Sequence, residues 1–253
     1  MKLATDVWVL MGRRVRETVR QPTWVVMNLA FPVVLLAFFA PLLHSLAGSP
    51  GFTRGSVLDV FVPGMLVMLA YTSVSSAGWF LLAELDSGVM ERLRVTPVSR
   101  FALLMGGVLR DVLAIVVPSL VLIAIALPFG FHPHWGGIAV LFALLALVVV
   151  ATSAFSNALA LILRKVESLT AVTNAGMFPL LFLSGMMLPL ALAPEWMQVV
   201  GHFNPLFYVV AAARDLALGT IGSANVGEAF LVMGGLTVVA TWWATHVYRR
   251  AIA

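Results

Sequence analysis

The distribution of charge constrains this chain more than any other feature. Val60 to Ala83 carries no charged residue over 24 positions, and from Val112 the chain has none again until Arg164. A soluble helical protein needs a charged face on its surface helices, and runs of this length leave none. Only 10% of the 253 residues are charged and 61% are hydrophobic, against about 25% charged in an average soluble domain. The hydrocarbon core of a bilayer is the solvent that such runs fit, so the chain reads as an all-α polytopic membrane protein.

A crossing needs about 20 apolar residues. The sequence supplies six such runs, at residues 22–44, 58–83, 102–127, 137–163, 168–190 and 226–248. Ahead of them, residues 1–21 have helical periodicity. Leu3, Val7, Leu10, Met11, Val15 and Val19 fall on one arc, and Asp6, Arg13, Arg16, Glu17 and Arg20 on the other. This predicts an amphipathic helix lying along the anionic inner leaflet. It is not expected to be a cleavable signal, because its charged region is too long and no small-residue cleavage site stands out.

Orientation follows from lysine and arginine, which concentrate in cytoplasmic loops. With the N-terminus inside, Lys2, Arg13, Arg14, Arg16, Arg20, Arg92, Arg94, Arg100, Arg110, Arg164, Lys165, Arg249 and Arg250 are cytoplasmic, and only Arg54 and Arg214 are not. Both termini are therefore expected inside a cell (plasma or inner) membrane. This asymmetry also accounts for the net charge of +4 without a nucleic-acid partner. Trp196 to Ala213 is uncharged as well, but a seventh crossing would move Arg249 and Arg250 outside. Gly201-His202-Phe203-Asn204-Pro205 interrupts it, so residues 194–216 are expected to form a re-entrant hairpin entering from the outer face. The outer loops are short, and residues 1–253 read as a single membrane domain.

Between the second and third runs lies residues 84–100, which gathers Glu84, Asp86, Glu91, Arg92, Arg94 and Arg100 between two membrane-length stretches. Gly88 can end the incoming helix, Val89 to Val95 suffices for two turns, and Pro97 keeps that short helix from running into the next span. The spacing predicts a short cytoplasmic helix at the membrane face, either presented to another protein or serving as a solvated turn.

Catalytic machinery is not expected. The only lysines are Lys2 and Lys165, neither in a phosphate-binding glycine loop, and there is no His-Glu-x-x-His pair. Absence of cysteine excludes thiolate metal sites and cysteine nucleophiles. His132 and His134 invite a metal reading, but no acidic residue is near them in sequence, and an interfacial turn suits Gly130 to Gly137 better. No metal is expected. Arg110 and Asp111 lie one or two turns inside the third span, where snorkelling or capping is the expected role. A transporter without an ionisable relay at mid-depth must draw its energy from a partner.

Glu84-Leu-Asp-Ser-Gly-Val-Met-Glu-Arg-Leu-Arg-Val-Thr-Pro-Val-Ser-Arg resembles the acidic-Gly-Glu-Arg-Leu-x-x-Thr-Pro loop of type-2 ABC exporter permeases, the group that includes antibiotic-resistance and polysaccharide permeases. Phe182-Leu-Ser-Gly through Leu188-Pro, Ala193-Pro-Glu-Trp-Met and Asn204-Pro-Leu-Phe-Tyr to Arg214 is similar to the family's fifth span and outer hairpin. The pattern departs at Phe207 and Ala211, where the family commonly carries threonine and aspartate.

The resemblance implies that Glu84, Gly88, Val89, Met90, Glu91, Arg92, Leu93, Arg94 and Pro97 form a coupling element that docks in a separate nucleotide-binding ATPase, present as two copies or two domains. ATP and Mg would be bound there and not in this chain, which would be a transport subunit and no enzyme. It further implies a second permease copy, identical or related, with Gly64, Gly176 and Gly185 as candidate seam residues. In the hairpin it marks Asn204, Pro205, Tyr208 and Arg214. For the substrate, Met177, Phe178, Met186, Met187, Phe203 and Phe207 enrich the outer half with pliable and aromatic surface, suited to an amphipathic drug or lipid. A polysaccharide or glycolipid permease, and a scaffold or channel without a motor, are the alternatives.

Overall fold

The computed structural model describes residues 30, 32–38, 57–75, 77–86, 100–186, 190 and 193–251. Among these the regular structure is helical throughout. The principal helices are α1 (Val57–Ser75), α2 (Ala77–Asp86), α3 (Arg100–Ala126), α4 (Trp135–Leu163), α5 (Val166–Leu183), α6 (Glu195–Gly201), α7 (Pro205–Ala217) and α8 (Ala224–Ala251).

Five helical stretches among the described residues are long and apolar enough to cross a membrane: Leu58–Asp86, Met105–Phe129, Trp135–Leu163, Val166–Leu183 and Ala224–Arg250. They match the second to sixth predicted runs. The predicted interfacial helix lies outside the described residues, as does most of the first run. Of that run, residues 32–38 are helical, with Leu36 buried in the core and Val33 and Leu35 packed against it.

The fifth helix ends at Leu183 where the sequence predicted a span to Leu190. Its end is set by tertiary contact. Gly185 turns at a positive φ of 74°, and Met186 then tucks its backbone carbonyl against Gly64 of α1, where any Cβ would collide with it. Hydrophobic length alone does not encode that contact.

Helix α4 is the hub, with α1, α2, α3, α7 and α8 all packing on it. Its sequence is apolar over most of its length, interrupted by Thr152, Ser153, Ser156 and Asn157. The core has two parts. The larger joins α1, α3, α4 and α7 through Leu66, Leu69, Ile115, Leu144, Leu145 and Val209. The smaller joins α2, α3, α4, α5 and α8 through Leu81, Leu82, Val108, Ala154, Ala158, Leu169 and Tyr248. On α5, by contrast, only Leu169 and Leu181 are buried, so that helix presents most of its surface outward.

Candidate functional site

At one end of the bundle lie the two helix ends that flank residues 87–99. Gly88, Val89, Met90, Glu91, Arg92, Leu93, Arg94 and Pro97 fall outside the described residues. Glu84 lies on α2, which is described as far as Asp86, and α3 is described from Arg100.

Behind these ends the structure assembles a polar cluster that the sequence did not reveal. The Arg110 guanidinium donates to Asp111 Oδ1, with Nε at 2.9 Å and Nη2 in close contact, and stacks 4.6 Å from the centre of the Phe80 ring on α2. Asp111 Oδ2 accepts from Ser153 Oγ of α4 at 2.5 Å. Asn157, one turn on, donates to Ser153 Oγ at 3.5 Å. Beside it the Gly78 N–H donates to Ser156 Oγ at 3.1 Å. Both charged side chains are buried, at 11% and 8% exposure. The expected snorkelling or capping is thus replaced by pairing, because α2 and α4 close over both residues. The signal available in sequence was Ser153, Ser156 and Asn157, clustered on consecutive turns of an otherwise apolar run.

At the opposite end, α6 and α7 form a helix-turn-helix. Asn204 caps α7, its Oδ1 accepting the Leu206 N–H at 3.0 Å, and Pro205 takes the first helical position, where a missing N–H costs nothing. The Asn204 side chain also donates to Leu180 O at 2.8 Å, so the turn lies level with the last turn of α5. Tyr208 donates its hydroxyl proton to His202 O at 3.1 Å, and Phe207 sits between the His202 and Tyr208 rings.

Arg214 fastens α7 to two other elements. Its Nε donates to Val60 O at 3.1 Å and its Nη2 to Gly185 O at 2.6 Å. The guanidinium thereby lies at the carbonyl end of α5, where a positive charge is favoured. At the far end of α7, Leu216 O rests directly on Gly137 of α4, leaving no room for a Cβ. His134 caps α4 by accepting the Gly137 N–H at Nδ1, 3.2 Å away, while the His132 backbone N–H donates to Asp59 Oδ1 at 3.0 Å. A carboxylate does approach this turn, but it meets backbone, and no group of three metal-binding side chains occurs among the described residues.

The candidate substrate residues divide. Phe178 and Phe203 are exposed, and Met177 and Phe207 are half-buried. Phe182, Trp196 and Val199 are exposed as well. Met186 is buried beneath α1 at 1% exposure, so it belongs to the core; Met187 lies outside the described residues. The seam glycines divide likewise. Gly64 is closed by Met186 and Gly185 is buried, whereas a Cβ on Gly176 would meet nothing within 4 Å.

The family model described as ABC-2 type transporter matches residues 5–218. The chain is 28% identical over 221 residues to the daunorubicin resistance ABC transporter permease protein DrrB1 of Streptomyces coeruleorubidus, covering 87% of this chain and 77% of that protein. It is 28% identical to the putative transport permease ycf38 of Cyanophora paradoxa, covering 83% and 73%. It is 26% identical to the probable doxorubicin resistance ABC transporter permease protein DrrC of Mycobacterium tuberculosis (strain ATCC 25618 / H37Rv), covering 87% and 80%.

Proposed function

The chain belongs to the ABC-2 type transporter family, and from that premise we propose that it is the membrane permease of an exporter driven by ATP hydrolysis in a separate subunit. The observation that carries this reading is the reach of the family match. It includes both the charged stretch at residues 84–100 and the α6–α7 pair, and stops at residue 218. The whole of residues 1–253 forms one transmembrane domain with six crossings and both termini cytoplasmic.

The ATPase docks on residues 88–97, bringing the ATP and Mg that this chain does not bind. Glu84 and Asp86 on one side and Arg100 on the other add polar complementarity to that contact. Val89, Met90 and Leu93 fill an apolar pocket, and Glu91, Arg92 and Arg94 set register. The α6–α7 pair is a re-entrant hairpin that dips in from the outer face, its turn held at the depth of Leu180 by Asn204.

A second permease copy, identical or related, supplies the other wall of the path. The outward face of α5 is the surface available to it, with Gly176 open. The substrate is an amphipathic drug or lipid, taken from the cytoplasm or inner leaflet. Support comes from the exposed Phe178, Phe182, Trp196 and Phe203 and from relatives named for resistance to daunorubicin and doxorubicin. Deleting residues 88–97 should abolish ATP-dependent efflux while leaving the chain inserted; efflux that survives the deletion would refute the proposal.

A further inference from the structure

The polar cluster lies where the two apolar cores meet. On α3, Val108 belongs to one core and Ile115 to the other, with Arg110 and Asp111 between them. On α4, Ala151 and Ala154 divide in the same way around Ser153. On α2, Ala77 lies in the larger core and Leu81 in the smaller, with Gly78 and Phe80 between. Three helices thus pass through one polar layer at matching depth.

Charges at this depth are costly to insert and are retained when they do something that apolar packing cannot. Apolar contact is non-directional, so one helix can slide past another with small loss. A carboxylate that accepts from Arg110 on its own helix and from Ser153 on the next fixes both register and rotation. The helices so fixed are not arbitrary. Helices α2 and α3 are the two that flank residues 87–99, and α4 is the hub to which α1, α7 and α8 attach.

We propose that Arg110, Asp111 and Ser153 form the joint that carries displacement of the ATPase-contacting stretch from α2 and α3 to α4. This rests on the export reading above. Phe80 couples α2 to the Arg110 cation, Asp111 couples α3 to α4, and α4 then moves the outer core that seats α7. All three are positioning residues; none contacts nucleotide or substrate.

The test uses the full permease–ATPase complex in proteoliposomes, with ATP hydrolysis and doxorubicin efflux measured on the same sample. Ser153→Ala removes the cross-helix bond and leaves the Arg110–Asp111 pair intact. Transport per ATP hydrolysed should fall about fivefold or more, the lower bound of ordinary coupling energies, with unchanged yield of complex. Because Asp111→Ser strands a buried arginine and is expected to reduce folding, the second arm is the exchange Asp111→Ser with Ser153→Asp. It returns a carboxylate to the same layer from the opposite helix and should restore both yield and coupling toward wild type.

Unchanged transport per ATP in Ser153→Ala would overturn the joint. So would loss of complex and coupling in parallel, with no recovery in the exchange, since that is the behaviour of a packing site. Wild-type chain that captures no ATPase and exports nothing on ATP would instead overturn the export reading itself.

Discussion

Asn204 holds the α6–α7 turn by two separable bonds, and a three-variant series distinguishes them. Its Oδ1 caps α7 at Leu206 N and its Nδ2 reaches Leu180 O of α5, with the residue 5% exposed. Asn204→Ser keeps a capping oxygen but is too short to reach α5, so it loses only the interhelical bond, about 0.6–1.7 kcal/mol. Asn204→Ala loses the cap as well, worth about 1 kcal/mol, for a total of about 2 kcal/mol. Asn204→Asp keeps the cap but points a carboxylate at the Leu180 carbonyl in a buried site, which should cost about 3 kcal/mol or more. Thermal midpoints of the purified chain in one detergent should therefore fall in the order wild type, serine, alanine, aspartate. If aspartate is as stable as wild type, the amide is not donating to Leu180. If alanine matches serine, the cap contributes nothing.

Gly137→Val should destabilise by about 1–3 kcal/mol through overpacking, since its new side chain would meet Leu216 O; Gly176→Val should leave the monomer's midpoint unchanged and weaken permease–permease association in native mass spectrometry. A Gly137→Val chain as stable as wild type would refute the close approach of α4 and α7. Topology is readable by thiol labelling because the natural chain has no cysteine: cysteines at Ser49, His134 and Ser223 should label from outside and one at Ser87 should not. External labelling at Ser87 would refute the orientation. Arg214→Met removes both charge-assisted bonds from α7 to Val60 and Gly185 and should raise protease accessibility of the 218–223 connection, with unchanged cleavage refuting the anchoring role.

How much of this could be read from sequence depends on whether the cause was local. Uncharged length is local, so five of the six predicted runs coincide with membrane-length helices. The Asn204-Pro205 start of α7 was also legible, because a capping side chain followed by proline acts within one turn. The end of α5 was not, since it is fixed by Met186 meeting Gly64 across the fold. For Arg110 and Asp111 the sequence alone suggests snorkelling or capping, because Ser153, which bonds Asp111, is 42 residues away. Arg214 illustrates the hardest case: its acceptors are the backbone carbonyls of Val60 and Gly185, and a carbonyl acceptor leaves no mark in the side-chain sequence.

Transmission of ATP hydrolysis to the membrane through residues 88–97 is tested by ATPase copurification together with ATP-dependent efflux in the same membranes for Leu93→Asp. A carboxylate placed in the apolar part of a docked interface can cost several kcal/mol, so both signals should be lost while the chain inserts normally. Glu91→Lys should behave in the same way, and Glu195→Lys at the outer face should leave ATPase association intact. Wild-type levels of both copurification and efflux in Leu93→Asp would contradict the account.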